Sequence, residues 1–243
     1  MKYVDHLKEL RKRILLSFFV LLGCFIIFFY NASFIGGILT KPLFELFLDS
    51  DERRMIFTAL PEVFVSNLKI SLFASFLVSF PFFILQVVLF ISPALYKKEK
   101  KIIIPAFLCI PLLFVIGVLF AYYFLIPIIW SFFISFENFM QNSVPIVLES
   151  KYSEYMKLTM YLLFASGLSF EFPILLIILN KFKILSLKTL REKRKYFVIG
   201  ILVFSAIFTP PDIISQIGIA IPLIIFYEFS LLLIKFLNKR QNA

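Results

Sequence analysis

Six long apolar stretches run through this sequence of 243 residues and restrict the folds that it can adopt. A helix rises about 1.5 Å per residue, so roughly 20 apolar residues cross a hydrocarbon layer about 30 Å thick. Hydrophobic residues make up 61% of the chain and charged residues 16%, a balance that a soluble domain cannot bury. We therefore predict an all-α polytopic membrane protein, in which residues 1–243 form a single domain of six transmembrane helices. The predicted helices cover residues 14–34, 70–92, 102–136, 158–180, 196–209 and 213–234.

Prolines and the length of the fifth stretch predict the shape of these helices. A proline removes a backbone hydrogen bond and bends a helix, so the prolines in the apolar stretches favour kinked helices and a cupped bundle. The fifth stretch has 14 residues between Lys195 and Pro210, or about 21 Å as a helix. In the sixth stretch, the charged residue Glu228 lies about 24 Å beyond Asp212, so the apolar part of this stretch is also short. The last two helices are therefore predicted to form a short pair in a locally thin membrane.

The distribution of Lys and Arg predicts the orientation in the membrane. Of the 25 basic residues, 19 fall before the first stretch, between the second and third, between the fourth and fifth, or after the sixth. Cytoplasmic loops carry an excess of Lys and Arg, so these segments and both termini are predicted to be cytoplasmic. The net charge of +10 is then a topology signal, and nucleic acid is not an expected partner.

Signatures of enzymes and metal sites are absent from the sequence. It contains no HExxH, GxSxG or GxxxxGK[ST] motif, and its seven glycines do not cluster into a phosphate-binding loop. His6 is the single histidine, and Cys24 and Cys109 lie in apolar runs without a neighbouring ligand. We therefore expect no enzymatic activity, no catalytic residue, no cofactor and no metal.

Three carboxylates stand in unusual surroundings. Glu171 lies nine residues before Asn180, about 14 Å inside the membrane, where it is protonated, paired with another group or facing a wet cavity. Glu9 and Glu99 lie in strongly basic cytoplasmic segments. Such a carboxylate is ordinarily a solvated salt-bridge partner. Two of them also suit a pair of guanidinium groups, which carboxylates accept bidentately.

Six motifs in order along the chain resemble those of the TatC family, the multispanning core subunits of the twin-arginine protein translocase. The most diagnostic is FISPALYKKEK at residues 90–100, and HLKELRKR at residues 6–13 precedes it. The others are FEFP at residues 170–173, RKY at 194–196, TPPD at 209–212 followed by Gln216, and AIP at 220–222 followed by Tyr227 and Glu228. The resemblance extends over most of the chain and includes the predicted topology.

The resemblance implies a site for twin-arginine signal peptides at the cytoplasmic face. In that site Glu9 and Glu99 bind the arginines of the peptide, with Arg11 nearby and Phe90 at the membrane edge. Glu171 is implied to contact the single-span subunits TatA and TatB, and Gln216 is implied to be a polar position near the outer end of the last hairpin. The other positions that match the family are Pro42, Pro93, Asp212 and Glu228. Loop rigidity at Pro42 and a helix cap at Asp212 are structural alternatives for two of them.

The same resemblance implies a function and a location. The chain would be a translocase subunit of the cytoplasmic (inner) membrane that exports folded proteins with TatA- and TatB-type partners, driven by the proton-motive force. Self-association and contact with the lipid bilayer are expected as well. The alternative is a proton-coupled secondary transporter of small solutes with Glu171 as the coupling site. That alternative requires convergent polar groups near the midplane, whereas Ser166 and Ser169 are the closest polar neighbours of Glu171 in sequence.

Overall fold

The chain forms two compact units, each of which is described here by itself. The computed structural model describes residues 3–47, 54–94, 96–139, 149–209 and 212–241. The first unit comprises Met1–Thr40 and Phe57–Leu112, and the second comprises Lys41–Ile56 and Leu113–Ala243. A single domain over residues 1–243 stays a prediction.

Helices account for most of the described residues, as the apolar stretches predict. They are α1 (Tyr3–Tyr30), α2 (Ala32–Phe44), α3 (Glu62–Ile91), α4 (Lys97–Phe120), α5 (Ile126–Phe139), α6 (Tyr152–Phe170), α7 (Phe172–Lys181), α8 (Leu187–Glu192), α9 (Arg194–Phe208) and α10 (Ile213–Gln241). A π-helical turn at Ala121–Leu125 joins α4 to α5. The strands β1 (Met55–Ile56) and β2 (Ser150–Lys151) pair in parallel, with Ile56 opposite Lys151.

Five helical segments of the described chain are long and apolar enough to cross a membrane. They are Asp5–Tyr30, Glu62–Ile91, Ile103–Phe136, Tyr152–Lys181 and Ile213–Asn238. These segments confirm helices at five of the predicted stretches. The first two begin well before residues 14 and 70, because polar residues at their starts continue the helix. The fifth stretch corresponds to α9, which has 15 residues, so the count of six spans stays a prediction.

Prolines lie inside several of these helices, as the sequence predicts. Pro81 lies inside α3, Pro105 and Pro111 lie inside α4, and Pro222 lies inside α10. Each of them lacks the N–H group that would donate to the preceding turn. The cupped shape of the whole bundle stays a prediction.

In the first unit, α1 and α3 pack as an antiparallel pair. The Phe29 ring meets the Phe64 ring edge to face at 6.1 Å, and the Ser71 hydroxyl donates to the carbonyl oxygen of Phe28 at 3.3 Å. Further along α3, the buried hydroxyls of Ser75 and Ser79 donate to carbonyl oxygens four residues earlier. These small side chains satisfy their own polar groups within α3 and allow a neighbouring helix to approach closely.

In the second unit, α4 and α6 cross at a pair of glycines. The Ser166 hydroxyl donates to the carbonyl oxygen of Gly117 at 2.8 Å. A Cβ atom on Gly117 would lie 2.7 Å from the carbonyl oxygen of Ser166, and one on Gly167 would lie 2.7 Å from the ring of Phe114. Both distances are shorter than van der Waals contact. The two backbones can approach this closely only because neither position carries a side chain.

The predicted fourth span is divided at Glu171, where α6 ends and α7 begins. Pro173 stands in the first turn of α7, where the missing N–H of proline costs no helical hydrogen bond. Downstream, the Tyr227 hydroxyl of α10 donates to the carbonyl oxygen of Leu190 in α8 at 2.5 Å, and its ring stacks on Phe197 of α9 at 5.2 Å. Tyr227 therefore fixes three helices of the second unit around one buried side chain.

Candidate functional site

An ion pair near the start of α1 forms the centre of the candidate site in the first unit. Arg13 donates to Oε1 of Glu9 through Nε at 3.1 Å and through Nη2 at 2.5 Å. Its remaining terminal nitrogen, Nη1, donates to Oε1 of Gln86 on α3 at 3.1 Å. The side chains of Arg13 and Glu9 are only 22% and 24% exposed, so the pair is much better shielded than an ordinary surface salt bridge.

Arg13 uses only one oxygen of the Glu9 carboxylate. Among the described residues, the hydrogen bonds that Glu9 accepts all end on Oε1. An ionised carboxylate has about four lone-pair positions on its two oxygens. Oε2 therefore remains an acceptor for a donor that approaches from outside the unit.

Aromatic and apolar side chains lie beside this ion pair. The His6 ring stacks on Phe90 at a centroid distance of 4.3 Å and an interplanar angle of 14°. A cavity of about 150 Å³ lies between α1 and α3, and its walls include Arg13, Gln86 and Phe90. The structure thus places a charged acceptor, a stacked ring pair and a small apolar cavity on one face of the first unit.

The predicted binding residues are only partly brought together. Glu9 and Phe90 lie on this face of the unit, whereas Arg11 is exposed. Glu99 lies in the first turn of α4, and its side chain is outside the described residues. Pro93 is exposed in a 3-10 turn, Ser92–Ala94, after α3. The joint role of Glu9, Arg11, Phe90 and Glu99 stays a prediction.

Sequence reasoning missed Arg13, Gln86 and His6 as members of this site. The spacing of Arg13 was a usable signal, because residues four apart on a helix face the same side. Gln86 is a polar residue in an otherwise apolar part of α3, which is a second signal. The contact between His6 and Phe90 joins two helices and has no local signature.

Glu171 occupies the break between α6 and α7 in the second unit. Both of its carboxyl oxygens are buried, and the carboxyl group lies beside the backbone of Phe114 on α4. The hydroxyls of Ser166 and Ser169 donate to the carbonyl oxygens of Gly117 and Ala165. The two serines nearest in sequence are therefore engaged by backbone, which weakens the alternative of a solute pocket around Glu171.

The polar residues of the last hairpin connect α9 with α10. Asp212 Oδ1 accepts a hydrogen bond from the backbone N–H of Ser215 at 2.7 Å, which is the geometry of a helix N-cap. Gln216 donates to the carbonyl oxygen of Leu202 at 3.2 Å, and Arg194 donates to Glu228 at 3.1 Å. These contacts give all three predicted positions a structural role. Pro42 lies inside α2, so the alternative of loop rigidity at this position is wrong. Pro210 and Pro211 are outside the described residues.

A metal centre is not evident in the part of the chain that the structure describes. Within those residues, no group of three or more His, Cys, Asp or Glu side chains is arranged to hold a metal ion. The long apolar helices define the class of the chain: a polytopic α-helical membrane protein.

The comparisons with known proteins identify the family. A family model described as Sec-independent protein translocase protein (TatC) matches residues 5–222. The chain therefore belongs to the TatC family. It is a membrane component of a protein translocase and not an enzyme, which confirms the resemblance that its motifs show.

Named relatives match this chain over nearly its whole length. The TatC protein of Rickettsia prowazekii (strain Madrid E) is 40% identical over 236 residues, covering 97% of this chain and 93% of the relative. The TatC protein of Escherichia coli (strain K12) is 32% identical over 242 residues, covering 98% of this chain and 90% of the relative. A crystal structure of the twin arginine translocase receptor TatC superposes with a TM-score of 0.77 at 34% identity, covering 95% of this chain and 98% of that one.

Proposed function

We propose that this chain is the subunit of the twin-arginine translocase that binds twin-arginine signal peptides. The observation that carries the proposal is the Glu9 carboxylate, which is oriented by Arg13 through Oε1 and keeps Oε2 as an acceptor. A guanidinium group of the peptide is a suitable donor for that oxygen. Glu99, in the most diagnostic motif of the family, would accept the second arginine.

The orientation and partners of the chain belong to the same proposal. The excess of Lys and Arg at the start of α1 and at the start of α4 favours a cytoplasmic location for this site, with both termini in the cytoplasm. Export of folded proteins then requires single-span partners of the TatA and TatB type and the proton-motive force. Glu171 is the proposed contact for those partners, because it lies at the break between α6 and α7, in the motif to which the family resemblance assigns that contact.

A binding measurement on the purified chain tests the recognition site. A labelled twin-arginine signal peptide is titrated against the wild type, Glu9→Gln and Glu99→Gln in nanodiscs. We expect each variant to bind about 10- to 100-fold more weakly, because a hydrogen bond to a charged group is worth about 1.5–3 kcal/mol. A twin-lysine peptide should lose a similar factor, since lysine keeps the charge but not the planar fork of donors.

Glu192→Gln is the matched control for these variants. Glu192 is an exposed carboxylate beside Lys188, at 3.9 Å, in a basic segment of α8. Its neutralisation changes the net charge by the same amount as Glu9→Gln. Equal losses in Glu192→Gln and Glu9→Gln would show general electrostatic attraction and would contradict a specific site at Glu9.

A further inference from the structure

A second cavity lies in the second unit, away from every residue assigned above to recognition or partner contact. Its volume is about 560 Å³, which is within the range of ligand pockets. Leu43, Trp130 and Tyr155 line it and are only 2%, 7% and 5% exposed. The rings of Trp130 and Tyr155 approach to 5.1 Å, and Phe133 of α5 adds a further aromatic wall. The inner part of the cavity is therefore apolar and aromatic.

Charged residues line the same cavity. Glu149, Lys151 and Glu154 line it, and the two glutamates are exposed. The backbone position of Lys151 is fixed by pairing with Ile56 between β2 and β1. The cavity thus combines two carboxylates and one amine with a deep apolar region, which is the pattern that an amphiphile with a zwitterionic headgroup complements.

The location of the cavity in the fold also favours a lipid. Trp130 and Phe133 belong to the last turns of the candidate span Ile103–Phe136, and Tyr155 belongs to the first turn of the candidate span Tyr152–Lys181. The cavity is therefore near the level of a membrane interface, where Trp and Tyr are commonly found. In the orientation proposed above, this is the outer interface.

Trp130 and Tyr155 hold each other in the wall of the cavity. The indole Nε1 of Trp130 is buried and lies close to the hydroxyl of Tyr155. A buried indole N–H usually has a hydrogen-bond partner, so the two rings form a fixed aromatic surface against which an acyl chain can pack.

We propose that this cavity binds a phospholipid with an amine-bearing headgroup. One acyl chain packs against Leu43, Trp130 and Phe133, and the headgroup ammonium lies between Glu149 and Glu154. The phosphate lies toward Lys151. An anionic lipid without the amine fits less well, because it would place its charge beside two carboxylates without compensating them.

Tryptophan fluorescence gives a direct test, because Trp130 is the single tryptophan of the chain. The full chain in detergent is titrated with phosphatidylethanolamine that carries bromine atoms on its acyl chains, and quenching of Trp130 is recorded. Phosphatidylglycerol with the same brominated chains is the comparison lipid. We expect saturable quenching by both lipids, with an affinity about tenfold higher for phosphatidylethanolamine than for phosphatidylglycerol. A difference of this size is expected for one contact between an ammonium group and a carboxylate.

Substitutions assign the headgroup contacts. The double variant Glu149→Gln and Glu154→Gln should lose the preference for phosphatidylethanolamine, whereas Glu192→Gln, on α8, should keep it. Both glutamates at the cavity are exposed, so their neutralisation is expected to leave the fold intact, which circular dichroism checks.

Three outcomes would overturn the proposal. They are quenching without saturation, equal affinity for the two lipids in the wild type, and a preference that survives in the double variant. Recovery of fluorescence on addition of a signal peptide, without any headgroup preference, would assign the cavity to a peptide instead. None of these outcomes depends on peptide binding at Glu9, so the two proposals fail separately.

Discussion

Two arginines in one short motif have different surroundings, and helix geometry explains the difference. Arg11 follows Glu9 by two residues, which is about 200° around a helix, whereas Arg13 follows by four residues and returns to within about 40° of it. Arg13 therefore meets Glu9, and Arg11 is exposed. The resemblance to the family predicted Glu9 and Phe90 but named Arg11 as their neighbour. The bond from Arg13 to Gln86 depends on the register of α1 against α3, which the sequence does not show.

The first prediction concerns Arg13 as a residue that positions Glu9. Arg13→Gln should weaken binding of the twin-arginine peptide about tenfold and lower the free energy of unfolding by about 1 kcal/mol, because a shielded carboxylate loses its cation. Arg13→Lys should restore part of the stability but less of the binding, since lysine cannot bond Glu9 and Gln86 in the same planar arrangement. Peptide titration and thermal unfolding in detergent measure the two effects.

Arg11→Gln is the control for the stability measurement. Arg11 carries the same charge one half-turn away and is exposed, so its stability change should stay within about 0.5 kcal/mol. If Arg13→Gln instead bound the peptide more tightly than wild type, Arg13 would be a competitor for Glu9 and its positioning role would be wrong.

The sequence predicts the positions of the helices better than it predicts the contacts between them. The apolar stretches predicted the five long segments, because the length of a membrane span is set by the thickness of the bilayer. The break at Glu171 and the glycine crossing of α4 with α6 were not predicted. Gly117 and Gly167 are 50 positions apart in the sequence, and their importance appears only when the two helices are packed together.

The second prediction tests this glycine crossing. Gly117→Ala should lower the free energy of unfolding by about 1–3 kcal/mol, because its Cβ would overlap the backbone oxygen of Ser166, which no rotamer change can move away. Gly200→Ala on α9 is the matched control, since a Cβ there meets nothing within 4 Å. Alanine favours a helix by about 1 kcal/mol over glycine, so the control should be neutral or stabilising. Thermal unfolding of the two variants in the same detergent compares them, and equal stability would show that the crossing tolerates a methyl group.

The third prediction concerns the short hairpin of α9 and α10. The 15 residues of α9 span about 22 Å, less than the hydrocarbon thickness of about 30 Å. We expect the lipid layer to thin around it. Spin labels at the exposed positions Tyr196 and Ile207 should then both show enhanced relaxation by a water-soluble nickel complex. Labels at Phe64 and Leu89 of α3 provide the reference, in a background where Cys24 and Cys109 are replaced by serine. Strong shielding of either α9 label from nickel would show that the bilayer keeps its ordinary thickness there.

On the scale of the whole molecule, the candidate functions fall on different compact units. Glu9, Arg13 and Phe90 belong to the first unit, whereas Glu171 and the lipid cavity belong to the second. The division into units was not predicted, because it depends on which helices contact one another and not on their individual lengths. The family, by contrast, was recognisable from the sequence, since its motifs are short and lie in order along the chain.

This division gives the last prediction, which separates recognition of a signal peptide from transport. Glu171→Gln keeps the size of the side chain but replaces one acceptor oxygen with an NH2 group that only donates, and the amide cannot ionise or carry a proton. We expect it to bind the twin-arginine peptide like wild type and to reduce export at least tenfold, whereas Glu9→Gln should lose both. Export is measured with a folded fluorescent protein carrying a twin-arginine signal, in cells that lack their own TatC subunit, and Glu192→Gln serves as the control for expression and charge. Normal export by Glu171→Gln would remove Glu171 from the transport step. Loss of peptide binding in that variant would instead show that the second unit takes part in recognition.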